Sequence, residues 1–453
     1  MPDAAWTPPP SRSAQVAAGK ALRSSRPRRG LAALIPGTRD PLGILEAQNS
    51  SRVPELIPLR DERMAASPFA FYRGTAALMA ADLGREIEAE TSTGIVVASC
   101  GDAHVSNFGF YGSPQRTLVF DLNDFDEAAW APWEWDLKRL VTSIVIAGQA
   151  TARDDAVVTS AARRAVVSYA RALATFTAQA PVARYFSHFD AAGGLELSDR
   201  AGRRVVKRAI RHARRRTADQ AARKLAAADA QGRLRFVEAP PAMTHLDADT
   251  AGRVERSVEA YIGSAQSDIR LLLQHYAVSD TVRRAVGVGS VGTRCYVTAL
   301  QDGDDNVLLL QTKEAGASVL VTHGGCRQPD DLTALTRELG EGARVVALQR
   351  ILQGVSDPFL GSFRGDSGDF YVRQFRDMKG GIEMESLDDG PFELYARACA
   401  TTLARAHSQS PRSAMITGYL GGGHTAAEAV VEWAYAYADL SRADYALFVA
   451  DQR

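Results

Sequence analysis

The fold is decided by Gly101-Asp102-Ala103-His104-Val105-Ser106-Asn107 and, after a short hairpin-like segment, Asn123-Asp124-Phe125-Asp126-Glu127. Ahead of the first block, Ile95 to Ala98 are β-branched or small and apolar, which predicts a buried strand delivering Asp102 to a loop. A second apolar run, Leu118-Val119-Phe120, delivers Asp121 and Asp124 in the same way. Two strands that end in an Asp/Asn pair and an Asp cluster build a hard-oxygen pocket suited to Mg²⁺ carrying phosphates. In phosphoryl transfer one Asp orients a hydroxyl, an Asn holds one metal, and a second Asp holds the metals that bridge the phosphates.

The two blocks resemble the catalytic and metal loops of the protein-kinase-like fold in its aminoglycoside and choline phosphotransferase form. There the pattern runs H-G-D-x-H-x-x-N, then a strand, then D-F or D-W, and later D-x-x-x-D-L. Here Cys100-Gly101-Asp102 replaces His-Gly-Asp, with His104 and Asn107 in register, and Asp124-Phe125 up to Trp135-Asp136-Leu137 matches the later part. The resemblance implies that Asp102 accepts or orients a substrate hydroxyl and that Asn107 and Asp124 hold Mg²⁺. The interval from Asn107 to Asp124 is longer than the family's, so Asp121 is a rival for the metal position. His104 is a brace or a substrate contact, and Asp136 would hold the catalytic loop through backbone N–H groups.

Downstream, Gly287-Val288-Gly289-Ser290-Val291-Gly292 precedes an apolar run, Cys295 to Leu300, a turn at Asp302-Gly303-Asp304-Asp305, and a second run, Val307 to Ala315, that carries Lys313. Alone, GxGxxG is a weak signal whose first competitor is a dinucleotide site, but that fingerprint opens a helix and this one is followed by strand residues. Strand, hairpin and strand behind a glycine loop fit the small lobe of the kinase-like fold. On that likeness Gly287, Gly289, Ser290, Gly292 and Lys313 grip the phosphates of ATP. Glu341 or Glu338 would be the partner of Lys313. Phe370 to Phe375 reads as another strand of the lobe, with the hinge at Arg376-Asp377-Met378-Lys379-Gly380 and backbone near Gln374 against adenine.

The kinase-like order is glycine loop, lysine, glutamate helix, hinge, catalytic loop, metal loop; here the last two come first. A circular permutation reconciles this, because a site depends on geometry and not on chain order. The expected fold is therefore α+β and two-lobed: a disordered basic tail over 1–40, a mostly helical large lobe over 41–280, an antiparallel small lobe over 281–385, and helices 386–453 returning to the large lobe. The blocks GDAHVSNFGF, FDLNDFDE, PWEWDLKRL, the GVGSVGTRC–QTKEA pair and RQFRDMKG also resemble, in this order, a bacterial family of unknown function grouped with kinase-like folds.

Bulk properties remove other classes. The chain has 453 residues, 46% of them apolar and 23% charged, with zero formal net charge, so no global field draws it to nucleic acid or a membrane. Cys100, Cys295, Cys326 and Cys399 are scattered without CxxC spacing, which predicts reduced thiols, and no apolar run matches a membrane span, so a cytoplasmic protein is expected. The tail is basic and Pro-rich, with no acid between Asp3 and Asp40. Residues 151–280 read as mostly helical. Their basic run, Arg203 to Arg216, lacks interleaved aromatics and reads as a solvated helix face. Arg73, in the apolar helix that Ser67-Pro68 opens, is either a salt-bridged surface residue or a cation facing phosphate or the acidic loop. The expected activity is transfer of phosphate from ATP, with Mg²⁺, to a hydroxyl of a small molecule or protein. AMP transfer on the same fold and a nucleotide-binding pseudokinase are the alternatives. A metallophosphoesterase, which Gly101-Asp102-Ala103-His104 mimics, is a remote alternative, because such sites need a bridging cluster with several histidines, the chain has only eight, and no Asp-x-His precedes the loop.

Overall fold

Helix Trp133–Ala150 is buried almost throughout, charged residues included. Each charge has partners. Glu134 accepts from Thr93 N at 2.7 Å and Thr93 Oγ1 at 2.8 Å, and Lys138 meets Glu86 at 2.6 Å. Asp136 and Arg139 turn to the Gly101-Asp102 loop. Buried charges are tolerable only when paired in this way. Leu137, Leu140, Val141, Ile144 and Val145 fill the main core, which helices Asp155–Ala178, Asp389–Ser408 and His424–Asp451 complete. Trp133 stacks on Tyr169 at 5.8 Å and Trp433 on Tyr437 at 4.8 Å between ring centroids. The C-terminal helices thus share one core with elements that precede residue 180.

The computed structural model describes residues 8–191, 200–215, 218–285, 287–375, 378 and 380–452. Its strands are β1 (Val96–Ser99), β2 (Phe108–Gly112), β3 (Leu118–Leu122), β4 (Ala129–Pro132), β5 (Ala226–Ala228), β6 (Leu234–Phe236), β7 (Met243–His245), β8 (Ala277–Arg284), β9 (Cys295–Gln301), β10 (Val307–Ala315), β11 (Gly361–Gly365), β12 (Gly368–Gln374) and β13 (Gly380–Gly381). The architecture is α+β, mostly helical, with antiparallel sheets. The largest sheet runs β11-β12-β10-β9-β8-β7, a second runs β13-β2-β3, and β1 pairs with β4. Alternation sorts β10 into two faces. Leu308 and Leu310 pack under helices Ala248–Ser264 and Ser267–Leu273, whereas Leu309 lies on the opposite face, the one that by period two also takes Gln311 and Lys313.

Two expectations change. The stretch 151–280 holds β5, β6, β7 and half of β8 beside its helices, so the large sheet begins at Met243 and not at 281. These strands carry little apolar alternation. Asp280 in β8 is buried because Phe236 N donates to it at 2.7 Å and His245 Nε2 lies 3.0 Å away. Nor are residues 1–40 a free tail, at least from Ser11 onward. Ser11 caps helix Arg12–Leu22. That helix lies on Ser413–Leu420 at glycine-to-backbone distance, where a Cβ on Gly19 would meet Met415 O at 1.9 Å. Arg23 donates to Tyr419 O at 2.9 Å, and Arg39 bridges Asp82 and Asp444 at 2.8 and 2.7 Å. The basic residues read as a source of disorder are the anchors.

Helix Arg200–Arg214 buries Ala209, Ile210 and Ala213 and exposes Arg204, Lys207, Arg208 and Arg211, the solvated face expected of it. Among the described residues no helix is long and apolar enough to cross a membrane.

Candidate active-site cleft

The loop after β1 is held by a bracket from the buried helix. Asp136 Oδ2 accepts the Cys100 N–H at 2.8 Å and Oδ1 the Gly101 N–H at 3.0 Å. His407 Nε2 lies 3.1 Å from the same Oδ2, and its Nδ1 is 2.7 Å from the Tyr169 hydroxyl. Gly101 takes φ +80°, and a Cβ there would strike Glu127 O at 2.1 Å, so the position needs glycine. Asp102 is thereby presented to a cleft of 460 Å³ lined also by His104, Asn107, Asp124, Asp126, Glu127, Gly287, Gly289 and Ser290.

Within the cleft Arg139 Nε donates to Asp102 Oδ1 at 2.9 Å. Burial raises the Asp102 pKa above the ordinary carboxylate value, and Arg139 pulls against it. His104 Nε2 is 3.5 Å from Asp102 Oδ2, and its Nδ1 is buried with no hydrogen-bond partner among the described residues. Burial first, then Arg73 and Arg139, push His104 well below the ordinary histidine pKa. Asn107 Nδ2 donates to Asp102 O at 2.8 Å.

The large sheet meets this loop through Lys313. The residue is 1% exposed, and its Nζ lies 2.5 Å from Asp126 Oδ2, 3.9 Å from Asp124 Oδ1 and 3.5 Å from Ser290 Oγ. Tyr371, directly opposite Lys313 across β10 and β12, donates its hydroxyl to Asp126 Oδ1 at 2.5 Å. Burial alone would lower the Lys313 pKa, but Asp124 and Asp126 carry it well above the ordinary lysine value. Burial would likewise raise Asp126, yet Lys313 and Tyr371 hold it below the usual carboxylate value. Glu127 accepts the Val319 N–H at 2.7 Å, and burial pushes its pKa up to about 7.

Other expected residues lie elsewhere. Asp121 is 1% exposed and turned out of the cleft, where its carboxylate accepts the Leu122 and Gly354 N–H groups at 2.8 and 2.7 Å. Glu341 opens helix Glu341–Leu352 and bonds Arg344 Nε at 2.5 Å, and Glu338 is exposed on the preceding helix. Neither meets Lys313, whose acids, Asp126 and Asp124, come from the loop after β3. The helix contributes Arg344 instead, which donates to the carbonyls of Asp126, Ala128 and Gly316 and so fixes the loop's backbone. Gln374 lines a separate 260 Å³ cavity with Tyr111, Asn123 and Gln353. Its N–H donates to Asp357 at 2.5 Å and the Phe375 N–H to Leu309 O at 2.9 Å, so neither is open to a base. Of the expected hinge, Arg376, Asp377 and Lys379 lie outside the described residues.

Arg139, His407, Arg344 and Asp126 were not singled out by sequence reading. Asp126 had a signal, since Asp124-Phe125-Asp126-Glu127 offers three carboxylates and the motif names one. The others act across distances along the chain that local patterns do not reach. Among the described residues no three His, Cys, Asp or Glu side chains converge as a ready metal cage.

No curated protein and no solved structure matches the chain. Residues 52–451 match the model of a family described as an uncharacterized protein conserved in bacteria (DUF2252), nearly the whole length. The chain belongs to that bacterial family.

Proposed function

We propose that the protein is an ATP- and Mg²⁺-dependent phosphotransferase built on a circularly permuted, two-lobed protein-kinase-like fold. One observation carries the reading: the Lys313 ammonium, far downstream in the chain, meets Asp126 and Asp124 beside the glycine loop, in the cleft that holds Asp102 and Asn107. A lysine, a glycine loop and a carboxylate–amide pair in one cleft are the parts of a phosphate clamp.

The donor set fits Mg²⁺. Asp124 and Asn107 Oδ1 are hard oxygens, and a cation that keeps water and takes phosphate oxygens needs only one or two protein carboxylates. When bound, Mg²⁺ would neutralise charge on the phosphates. Asp102, steadied by Arg139, orients a hydroxyl and accepts its proton, a role that depends on position more than on a high pKa. Lys313 and the backbone of Gly287–Gly292 offer fixed positive charge and dipoles to the phosphates. The pairing of Lys313 with Asp126 supports the reading further, because Asp126 lies two residues from Asp124 in the same loop.

The test is product mass. Incubated with ATP, Mg²⁺ and a panel of hydroxyl acceptors or cell extract, the protein should add phosphate, and Asp102→Asn should not. Addition of AMP would move the reading to nucleotidyl transfer. Unchanged turnover in Asp102→Asn and Lys313→Ala contradicts both.

A further inference from the structure

Two cleft arginines have no part in the roles above. Arg52 and Arg73 both line the cleft. Arg52 lies against the glycine loop: its guanidinium donates to Val291 O, and a Cβ on Gly292 would sit 2.9 Å from the Arg52 Cβ. The neighbouring Val53 N donates to Gly292 O at 2.7 Å, and Arg63 to Gly287 O at 2.7 Å. Three loop carbonyls are thus turned toward the segment that carries the arginines. Arg73 ends helix Pro68–Gly74, with its carbonyl 3.4 Å from where a Cβ on Gly289 would lie.

Neither arginine is ion-paired among the described residues, and the Nε of each is buried without a hydrogen-bond partner. Of the cleft's carboxylates, Asp102 pairs with Arg139, Asp126 with Lys313 and Glu314 with Arg294, Glu127 accepts the Val319 N–H, and Asp124 lies 3.9 Å from Lys313. Burial lowers the pKa of both guanidinium groups and outweighs the opposing pull of the carboxylates around them, Asp102 and Asp124 on Arg73 and Glu127 and Glu314 on Arg52, none of which forms an ion pair with either. Such a group is costly to the empty protein. The planar fork of arginine matches the oxygens of phosphate, and an oxyanion entering the cleft would supply the missing charge and acceptors.

We infer that Arg52 and Arg73 form a phosphate-binding subsite on the glycine-loop side of the cleft, separate from Lys313. Its place in a reaction rests on the phosphotransferase reading, whereas the chemistry of the anion it takes does not. The phosphate belongs either to the polyphosphate tail of a nucleotide or to an anionic acceptor.

Melting-curve titrations of the full chain with Mg²⁺ and inorganic pyrophosphate, and separately with ATP, test the subsite. The wild type should bind pyrophosphate. Arg52→Gln and Arg73→Gln should each weaken that binding about tenfold or more, with Arg73→Lys intermediate because it keeps charge without the fork. Ligand-free Arg73→Gln should melt no lower than the wild type, since it removes a charge whose burial outweighs the pull of the carboxylates around it. Should it fail to fold, Arg73→Lys and Arg52→Gln decide. Parallel loss of ATP affinity assigns the subsite to the nucleotide tail, and retained ATP affinity assigns it to the acceptor. A wild type that binds pyrophosphate but not ATP leaves the subsite standing and removes the phosphotransferase reading. Pyrophosphate binding that is absent from the wild type, or unchanged in the variants, overturns the subsite.

Discussion

Lys313 Nζ lies 2.5 Å from Asp126 Oδ2, an ion pair that joins the largest sheet to the loop leaving β3. The two residues are distant in sequence, and both are largely withdrawn from water, with side-chain exposures of 2% and 25%. Removing one member of such a pair leaves the other charge uncompensated. Asp126→Ala should therefore cost about 3 kcal/mol in urea unfolding. The double variant Asp126→Ala/Lys313→Met should cost less than the sum of the singles, since neither charge is then stranded. Additive losses would show that the pair does not couple.

The bracket on the loop after β1 makes a second prediction. Asp136 holds two backbone N–H groups and His407, all buried. Asp136→Ala should destabilise by about 3 kcal/mol, because three buried polar groups lose their acceptor. His407→Ala leaves the two N–H bonds in place and should cost less. Equal losses would mean that His407 alone carries the bracket.

How much of this was legible depends on the distance over which each feature is encoded. The strand before Asp102, the hairpin behind the glycine loop and the cap at Ser67 are written in local alternation and turn residues, and all three are present. Lys313 was singled out because it follows a glycine loop, a strand and a turn, and the structure places it in contact with Asp126. Its contact was not foreseen: the likeness offered Glu341 or Glu338, but the short carboxylate of Asp126 reaches Lys313 from the loop after β3, and Glu341 is taken by Arg344. β5 to β8 were missed because their burial comes from pairing and from Asp280's bonds instead of from apolar alternation. The N-terminal segment was misread for a similar reason. Composition counts its arginines as charge repelling order, whereas Arg23 and Arg39 find carbonyls and carboxylates contributed by distant helices.

That segment can be tested directly. Arg39 is bidentate to both Asp82 and Asp444, which are nearly buried. Arg39→Ala should cost about 2–3 kcal/mol in urea unfolding, because it removes the cation that Asp82 and Asp444 share and leaves Asp82 with Arg85 and Tyr437. A chain lacking residues 1–40 should melt below the full chain. Unchanged stability in both would restore a loosely held tail.

Glu127 predicts a pH dependence with a definite sign. Burial raises its folded-state pKa to about 7 from the ordinary 4.5, so the folded protein binds the extra proton in between. That contribution is fully present below about pH 4.5, falls as pH rises, and is lost above about pH 7. Glu127→Gln carries no such proton and should be more stable than the wild type at pH 8, by about 2 kcal/mol after allowing for the solvent the cleft admits. The gap should close or reverse at pH 5. Parallel stability–pH curves for the two proteins would contradict the assignment.

The claim that the two parts of the chain build one nucleotide clamp is tested most directly by melting curves with ATP, ADP and AMP, each with and without Mg²⁺. Mg²⁺ with ATP should stabilise the wild type most, by about 2.7 kcal/mol at a hundredfold excess over the dissociation constant. Lys313→Ala and Asp124→Asn should lose that gain while remaining folded. The absence of any Mg²⁺-dependent shift with ATP in the wild type, or a Lys313→Ala protein that keeps the full shift, would contradict it.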